Sequence, residues 1–387
     1  MRGNNEMNDT VLNNDIVEEP AVSGEEQEEL NRISDLSKRG YQFLKENLLT
    51  EAEDCFHEIL EFDPTNNYSL VGLGDIARKR KQYREAIKYY QECLLHHEGN
   101  NYALFGLADC YKALKQYNQA IKIWEKYLLH DDSNVTVLTR VADAYRKVKD
   151  FRRSKEVYLK VLEMEIDNAY ALIGLGHLHY DFREYSEALK YWERMLEVHQ
   201  ENVDIRVLTS LGNCHRKLKT YDQGTQYFQK ALEMEPRNFY ALFGLADCYR
   251  GMDQPDMALI YWNKILEIDP NNKVILTREG DSYRSMGMYD EAEEYYKAAI
   301  NIEFDVYAIL GLALINKKRG NFEEAIESLY GLMKNDTKNH RLYTEIADCY
   351  LSLGRKDKAM EVLMEYQKLG MRNVYVTEMI EKIKQAN

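Results

Sequence analysis

Tyr102–Tyr111 reads YALFGLADCY, and the same ten residues return at Tyr240–Tyr249. Looser copies stand at Tyr170–Tyr180 (YALIGLGHLHY) and Tyr307–Ala313 (YAILGLA). A ten-residue identity inside one chain marks duplication, so the repeat period is the first quantity to establish. One small residue keeps the count: Ala52, Ala86, Ala120, Ser154, Ala188, Gly224, Ala258, Ala292, Ala325 and Ala359. The intervals are 34, 34, 34, 34, 36, 34, 34, 33 and 34 residues. A second small residue precedes most of these by 12 positions, and a bulky one (Phe56, Tyr90, Trp124, Tyr158, Trp192, Phe228, Trp262, Tyr296, Leu329, Leu363) follows by four.

Within one period the apolar spacing is helical. Leu104, Leu107, Ala108 and Tyr111 fall at i, i+3, i+4 and i+7, and Ala120, Trp124 and Tyr127 continue the pattern in the second half. Small residues at fixed points let two helix backbones approach, and the large side chain one turn on fills the space beside them. Turn signals separate the halves at Lys115-Gln116-Tyr117-Asn118 and at Gly287, Gly320 and Gly354. Pro255 sits where a second helix begins, a position that tolerates a missing N–H, while Pro64, Pro236 and Pro270 follow second helices and stop them. The reading is an all-α chain of ten antiparallel helix hairpins.

These residues resemble the tetratricopeptide repeat family: a 34-residue helix-turn-helix carrying Leu-Gly/Ala, Tyr, Ala, an aromatic and a late proline. The resemblance covers residues 33–373 as ten repeats and departs from the pattern in having few late prolines and a two-residue insertion near 200–204. It implies a right-handed superhelical α-solenoid of stacked hairpins, about four-fifths helix. Residues 374–387 carry Val376, Met379, Ile380 and Ile383 on one stripe, which reads as a capping helix over the last hairpin. Residues 1–32 hold nine acidic and two basic residues and no sustained apolar period, so they are expected to form a disordered acidic tail.

Composition narrows the function classes. The 387 residues carry a net charge of −14 with a pI near 5.3, which opposes phosphate backbones and anionic membranes, so no nucleic-acid partner is expected. No run of eighteen apolar residues predicts a transmembrane span, and no apolar core behind Arg2 predicts a secretory signal. The six cysteines form no CxxC, and four share one repeat position, as packing residues in a reducing, cytoplasmic compartment would. His177 and His179 lie two apart on a helix and diverge, and His179 and His215 occupy a packing position, so no metal site is expected. With no phosphate loop, nucleophile elbow or HExxH, and no residues left over for a catalytic domain, no cofactor and no enzyme activity are expected.

The resemblance also places the candidate site. In similar proteins the first helix of each hairpin lines a concave groove with its second, fifth, ninth and twelfth residues. Carried over, these are Tyr68, Tyr102, Tyr170, Tyr240 and Tyr307; Thr139, Thr209, Thr277 and Thr344; Asp75, Asp109, Asp143, His177, Asn213, Asp247, Asp281 and Asp348; and Arg78, Lys112, Arg146, Arg216, Arg250, Arg284 and Lys317. Asp and Arg three apart are neighbours on a helix, so the groove carries an alternating charge ladder edged with tyrosines. Two roles stay open for it: pairing adjacent helices, or meeting a peptide. The lysine clamp by which some family members grip a C-terminal carboxylate is absent, since Val71, Phe105, Thr139 and Ile173 hold its fifth position. The expected function is a protein–protein interaction scaffold or adaptor. A regulatory subunit of an enzyme complex and an RNA-binding helical repeat are the competing readings. One further regularity is visible: Trp124, Trp192 and Trp262 occur in alternate repeats, those whose first helix begins with Tyr-Ala, consistent with duplication of a repeat pair.

Overall fold

A computed structural model describes residues 24–199 and 203–385. Residues 1–23 of the expected tail, residues 200–202 of the expected insertion and residues 386–387 lie outside it. Of the described residues 80% are helical, and none of them forms a strand. It divides into two compact units, Met1–Gly174 and Leu175–Asn387.

The first unit holds α1 (Gly24–Glu46), α2 (Leu49–Phe62), α3 (Asn67–Lys79), α4 (Tyr83–His96), α5 (Asn101–Ala113), α6 (Tyr117–Leu128), α7 (Val135–Lys147), α8 (Phe151–Met164) and the first turn and a half of α9 (Ala169–Asp181). The second holds the rest of α9, then α10 (Tyr185–Val198), α11 (Ile205–Leu218), α12 (Tyr221–Met234), α13 (Phe239–Gly251), α14 (Pro255–Leu266), α15 (Lys273–Ser285) and α16 (Tyr289–Ile302). It continues with α17 (Val306–Arg319), α18 (Phe322–Met333), α19 (His340–Ser352), α20 (Lys356–Lys368) and α21 (Val374–Gln385). Inside each unit consecutive helices pack as hairpins, and each hairpin packs on the next. First helices also touch the next first helix, as in α1–α3–α5 of the first unit and α11–α13 and α15–α17 of the second. In each unit they form one wall of its stack.

The local chemistry explains the period. Each hairpin turn contains one residue in the left-handed region: Asn47, Lys81, Lys115, Lys149, Arg183, Lys219 and Asp253, then Gly287, Gly320 and Gly354. Only the last three use the residue for which that backbone is unstrained. The turn after α5 is tighter than expected, because α6 already starts at Tyr117. Most first helices are capped by asparagine: Asn66, Asn100, Asn134, Asn238 and Asn272 each accept a backbone N–H through Oδ1 at 3.0–3.3 Å, satisfying a donor the helix leaves open. Pro255 occupies the first position of α14.

The core follows the register. The small residues Ala52, Ala86, Ala120, Ala188, Ala258, Ala292, Ala325 and Ala359 are wholly buried, as are Phe56, Tyr90, Trp124, Phe228, Trp262, Tyr296, Leu329 and Leu363. The aromatic of one hairpin presses on the first helix of the next. A Cβ on Gly106 would stand 2.3 Å from Tyr90 Cζ, and one on Gly244 would stand 2.2 Å from Phe228 Cζ; only glycine fits such an approach. Where the preceding aromatic is Trp124, Trp192 or Trp262, the matching residue is Arg140, Ser210 or Arg278 instead. The two-repeat alternation of the sequence is thus also an alternation of core partners. Val376, Ile380 and Ile383 of α21 are buried against the last hairpin. At the other end α1 begins at Gly24, nine residues before the expected start of the repeats at 33.

Candidate functional site

The second residue of the first helix is a tyrosine in five repeats, and all five project into solvent. In the first unit Tyr68 is 60%, Tyr102 80% and Tyr170 77% exposed; in the second Tyr240 is 70% and Tyr307 73% exposed. Their neighbours one residue on, Ala103, Ala171, Ala241 and Ala308, are wholly buried. The helix therefore seats itself on a small residue and holds the phenol outward. In the first unit Tyr68 and Tyr102 flank a pocket of about 530 Å³ floored by Tyr41 and Val71.

The charge ladder lies beside these tyrosines, and its members engage one another. In the first unit Arg78 donates to Asp75 at 2.7 Å and reaches Asp109 of the next repeat at 4.0 Å. The buried Tyr90 hydroxyl donates to Asp75 at 2.7 Å, while Arg78 Nε donates to that hydroxyl at 3.3 Å. Burial works against the charge on Arg78, but its bonds to Asp75 and Tyr90 outweigh burial and hold its pKa above the ordinary value. Arg140 donates to Asp109 at 2.8 Å and lies over the Phe105 ring at 4.9 Å. Arg146 donates to Asp143 at 2.7 Å. Lys112 is half-buried on the same helix as Asp109.

The second unit repeats the device. Asp247, only 9% exposed, accepts from Arg216 at 2.5 Å and Arg250 at 2.7 Å. Burial raises its carboxyl pKa, the two arginines lower it further, and the net position is below the usual carboxylate range. The Tyr296 hydroxyl donates to Asp281 at 2.8 Å and accepts from Arg284 at 3.2 Å. Lys317 meets Glu345 at 2.6 Å and Asp348 at 2.5 Å. Paired and partly screened charges of this sort contribute little to stability.

The remaining candidates divide by exposure. Thr139 and Thr209 are half-buried and donate to backbone carbonyls of their own helices, as does Thr344. Thr277 is buried, its hydroxyl on Lys273 O at 3.1 Å, and offers nothing at the surface. Asn213 is half-buried on α11. The histidines pack, as their position predicts: His179 stacks on Tyr191 and His215 on Tyr227, with centroids 5.4 and 5.5 Å apart. Among the described residues no cluster of His, Cys, Asp and Glu is arranged to hold a metal ion, and no helix is long and apolar enough to cross a membrane. All six cysteines are buried and free; burial pushes the Cys110, Cys214 and Cys248 thiols up to about 12.

Two features escape the groove positions. Arg140, one residue beyond Thr139, does the work of a ladder base. Glu279 is wholly buried on α15, where other repeats carry Leu73, Leu107, Val141, Leu175, Leu211, Leu245, Leu312 and Ile346. Neither of its carboxylate oxygens finds a hydrogen-bond partner of good geometry. Burial pushes its pKa up to about 7, with the Tyr295 hydroxyl pulling weakly the other way. Registering the repeats against one another would have exposed it.

The period, the paired small residues and the hairpin packing have a counterpart among known families. Tetratricopeptide repeat models match residues 77–138 and 318–372, 135–167, 205–238 and 275–306, 169–203, and 227–260, together more than half of the chain. The chain belongs to the tetratricopeptide repeat family. The C-terminal part of a TPR repeat-containing protein from Cytophaga hutchinsonii superposes with a TM-score of 0.54 at 20% identity, covering 62% of this chain and 99% of that one. Yeast Tom70 is similar at 15% identity and a TM-score of 0.42, over 92% of this chain and 96% of its own. YrrB, described as a TPR protein with an unusual peptide-binding site, matches at 22% identity and a TM-score of 0.43, over 48% of this chain and 95% of its own. No curated protein matches the chain. Within each unit the wall of first helices carries the exposed tyrosines.

Proposed function

We propose that this protein is a non-enzymatic interaction scaffold that binds a segment of a partner protein along its first-helix walls, with the tyrosines as anchors. The observation that carries the reading is the five tyrosines held 60–80% exposed beside wholly buried small residues, Ser69 and four alanines. A packing role alone would be served by a leucine turned inward. A phenol offers large contact area, few rotors and a polar tip, which suits a reversible protein interface. The ladder then acts as a self-satisfied polar wall that keeps the surface soluble and excludes partners of the wrong charge. Six free buried thiols fit a reducing compartment such as the cytoplasm, and the acidic charge balance supports a protein partner over nucleic acid.

The test is a pull-down from native lysate with wild type and with Tyr102→Ala/Tyr240→Ala. Both side chains are solvent-exposed, so helicity and thermal unfolding should match wild type. Recovery of the partner should fall by about tenfold or more, the scale expected when rigid aromatic anchors are removed. Undiminished recovery with the folded double variant would move the site away from the tyrosines.

A further inference from the structure

The ladder of the second unit has a missing rung. The ninth residue of the first helix is Asn213, Asp247, Asp281 and Asp348 in repeats six, seven, eight and ten, but Leu314 in repeat nine. No acidic residue occurs anywhere in α17, whose sequence is VYAILGLALINKKR. At two other steps of this unit the base ending one first helix reaches the acid of the next: Arg216 reaches Asp247 at 2.5 Å and Lys317 reaches Asp348 at 2.5 Å, while Arg250 pairs with Asp247 of its own helix at 2.7 Å. Arg284 meets Leu314 at the corresponding step. It is left with the Tyr296 hydroxyl at 3.2 Å and Asp281 at 3.5 Å, longer than a charge-assisted bond of normal strength.

A pocket of about 310 Å³ opens where that rung is missing. Arg250, Arg284 and Arg341 line it together with Tyr307, Leu310 and Leu314. Asp253 and Asp281 line it too, so its own charges sum to about one positive. Arg341 is half-exposed and lies 3.9 Å from Glu345, which Lys317 already holds at 2.6 Å. The pocket therefore offers planar guanidinium donors beside an aliphatic floor, and Arg284 and Arg341 there have only long carboxylate contacts, at 3.5 and 3.9 Å.

We propose that this pocket accepts an acidic side chain of the bound protein segment, whose carboxylate takes the place of the missing rung on Arg284 and Arg341. An aliphatic residue next to that acid packs on Leu310 and Leu314. Guanidinium forks match a carboxylate bidentately, and the exchange leaves the pocket neutral. The partner segment is thus acidic-aliphatic where it crosses repeats eight to ten. The inference rests on the reading of the first-helix walls as the binding surface and specifies what one part of them recognises.

The test uses the full chain with 13C-labelled leucine methyls at low ionic strength, and two capped probes: acetyl-Leu-Glu-Leu-Glu-amide and its glutamine analogue. The Glu probe should give saturable shifts at the Leu310 methyls, and the Gln probe should bind about tenfold more weakly or not at all. Leu314→Asp, which restores the rung from within, should weaken the Glu probe by about tenfold, and Arg341→Gln, on a half-exposed side chain, should do the same without perturbing the fold. Equal shifts with both probes, no saturable shift, or indifference of the Glu probe to Arg341→Gln in a folded protein would overturn the proposal. If native partner recovery depends on Tyr102 and Tyr240 but ignores Leu314→Asp and Arg341→Gln, this pocket is wrong and the tyrosine surface stands. If recovery ignores the tyrosines, the broader reading falls with it.

Discussion

Replacing Glu279 by leucine should stabilise the protein, and by more at high pH than at low. Glu279 is wholly buried in a position that eight other repeats fill with Leu, Val or Ile, and its carboxylate oxygens have no hydrogen bond of good geometry. Burial raises its pKa from 4.5 to about 7. A folded-state value above the unfolded one means that the stability the group permits is complete below pH 4.5 and is lost as pH rises through about 7. At one pKa unit per 1.36 kcal/mol, the carboxylate costs about 3 kcal/mol above the folded pKa. The same relation gives about 2 kcal/mol near pH 6, so the advantage of Glu279→Leu should widen by roughly 1.4 kcal/mol between about pH 6 and about pH 8.5. Repeat arrays open locally, so the readout is amide exchange of α15 and α16 at the two pH values, with urea unfolding alongside. Glu279→Gln serves as control: it removes the titration and should flatten the pH dependence while gaining less at high pH. A leucine variant that tracks the wild-type pH profile, or that is less stable near pH 8.5, would show that the carboxylate is solvated or partnered and refute the argument.

Two further changes test the packing account. Gly244→Ala places a Cβ 2.2 Å from Phe228 Cζ, against a wholly buried ring. Overpacking should cost about 2–3 kcal/mol and outweigh the roughly 1 kcal/mol that alanine gains over glycine in a helix, so urea unfolding should shift to lower denaturant. Lys115 holds φ at 59° in an exposed turn where later repeats carry glycine, so Lys115→Gly should stabilise by about 0.5 kcal/mol in the same assay, relief of strain exceeding the added chain entropy.

The repeat framework was readable because it is periodic and local. Ala52 to Ala359 and Phe56 to Leu363 keep their register over ten copies, and each small-large pair packs within its own hairpin or the next. Pro255 and the stripe of α21 follow from helix chemistry alone, and the packed His179 and His215 follow from position. The tyrosines were picked out by the family resemblance, and each faces outward because the residue after it is small and wholly buried. What spacing does not encode is which charge meets which. Asp109 meets Arg78 of the preceding repeat and Arg140 of the next, whereas Asp247 in the identical decapeptide meets Arg216 of the preceding repeat and Arg250 of its own helix, where Lys112 follows the first copy. Glu279 was hidden by its composition class, since a glutamate on a helix is ordinarily solvated and only comparison across repeats marks it as buried.

The most direct test of the central claim is positional crosslinking. A benzophenone side chain is placed singly at Tyr102 and Tyr240, and for contrast at Leu95 and Leu129, which are 74% and 84% exposed on or beside second helices. After irradiation in native lysate, the account predicts that Tyr102 and Tyr240 capture the same partner protein and that Leu95 and Leu129 do not. Capture of that partner from Leu95 or Leu129, with none from either tyrosine, would contradict it.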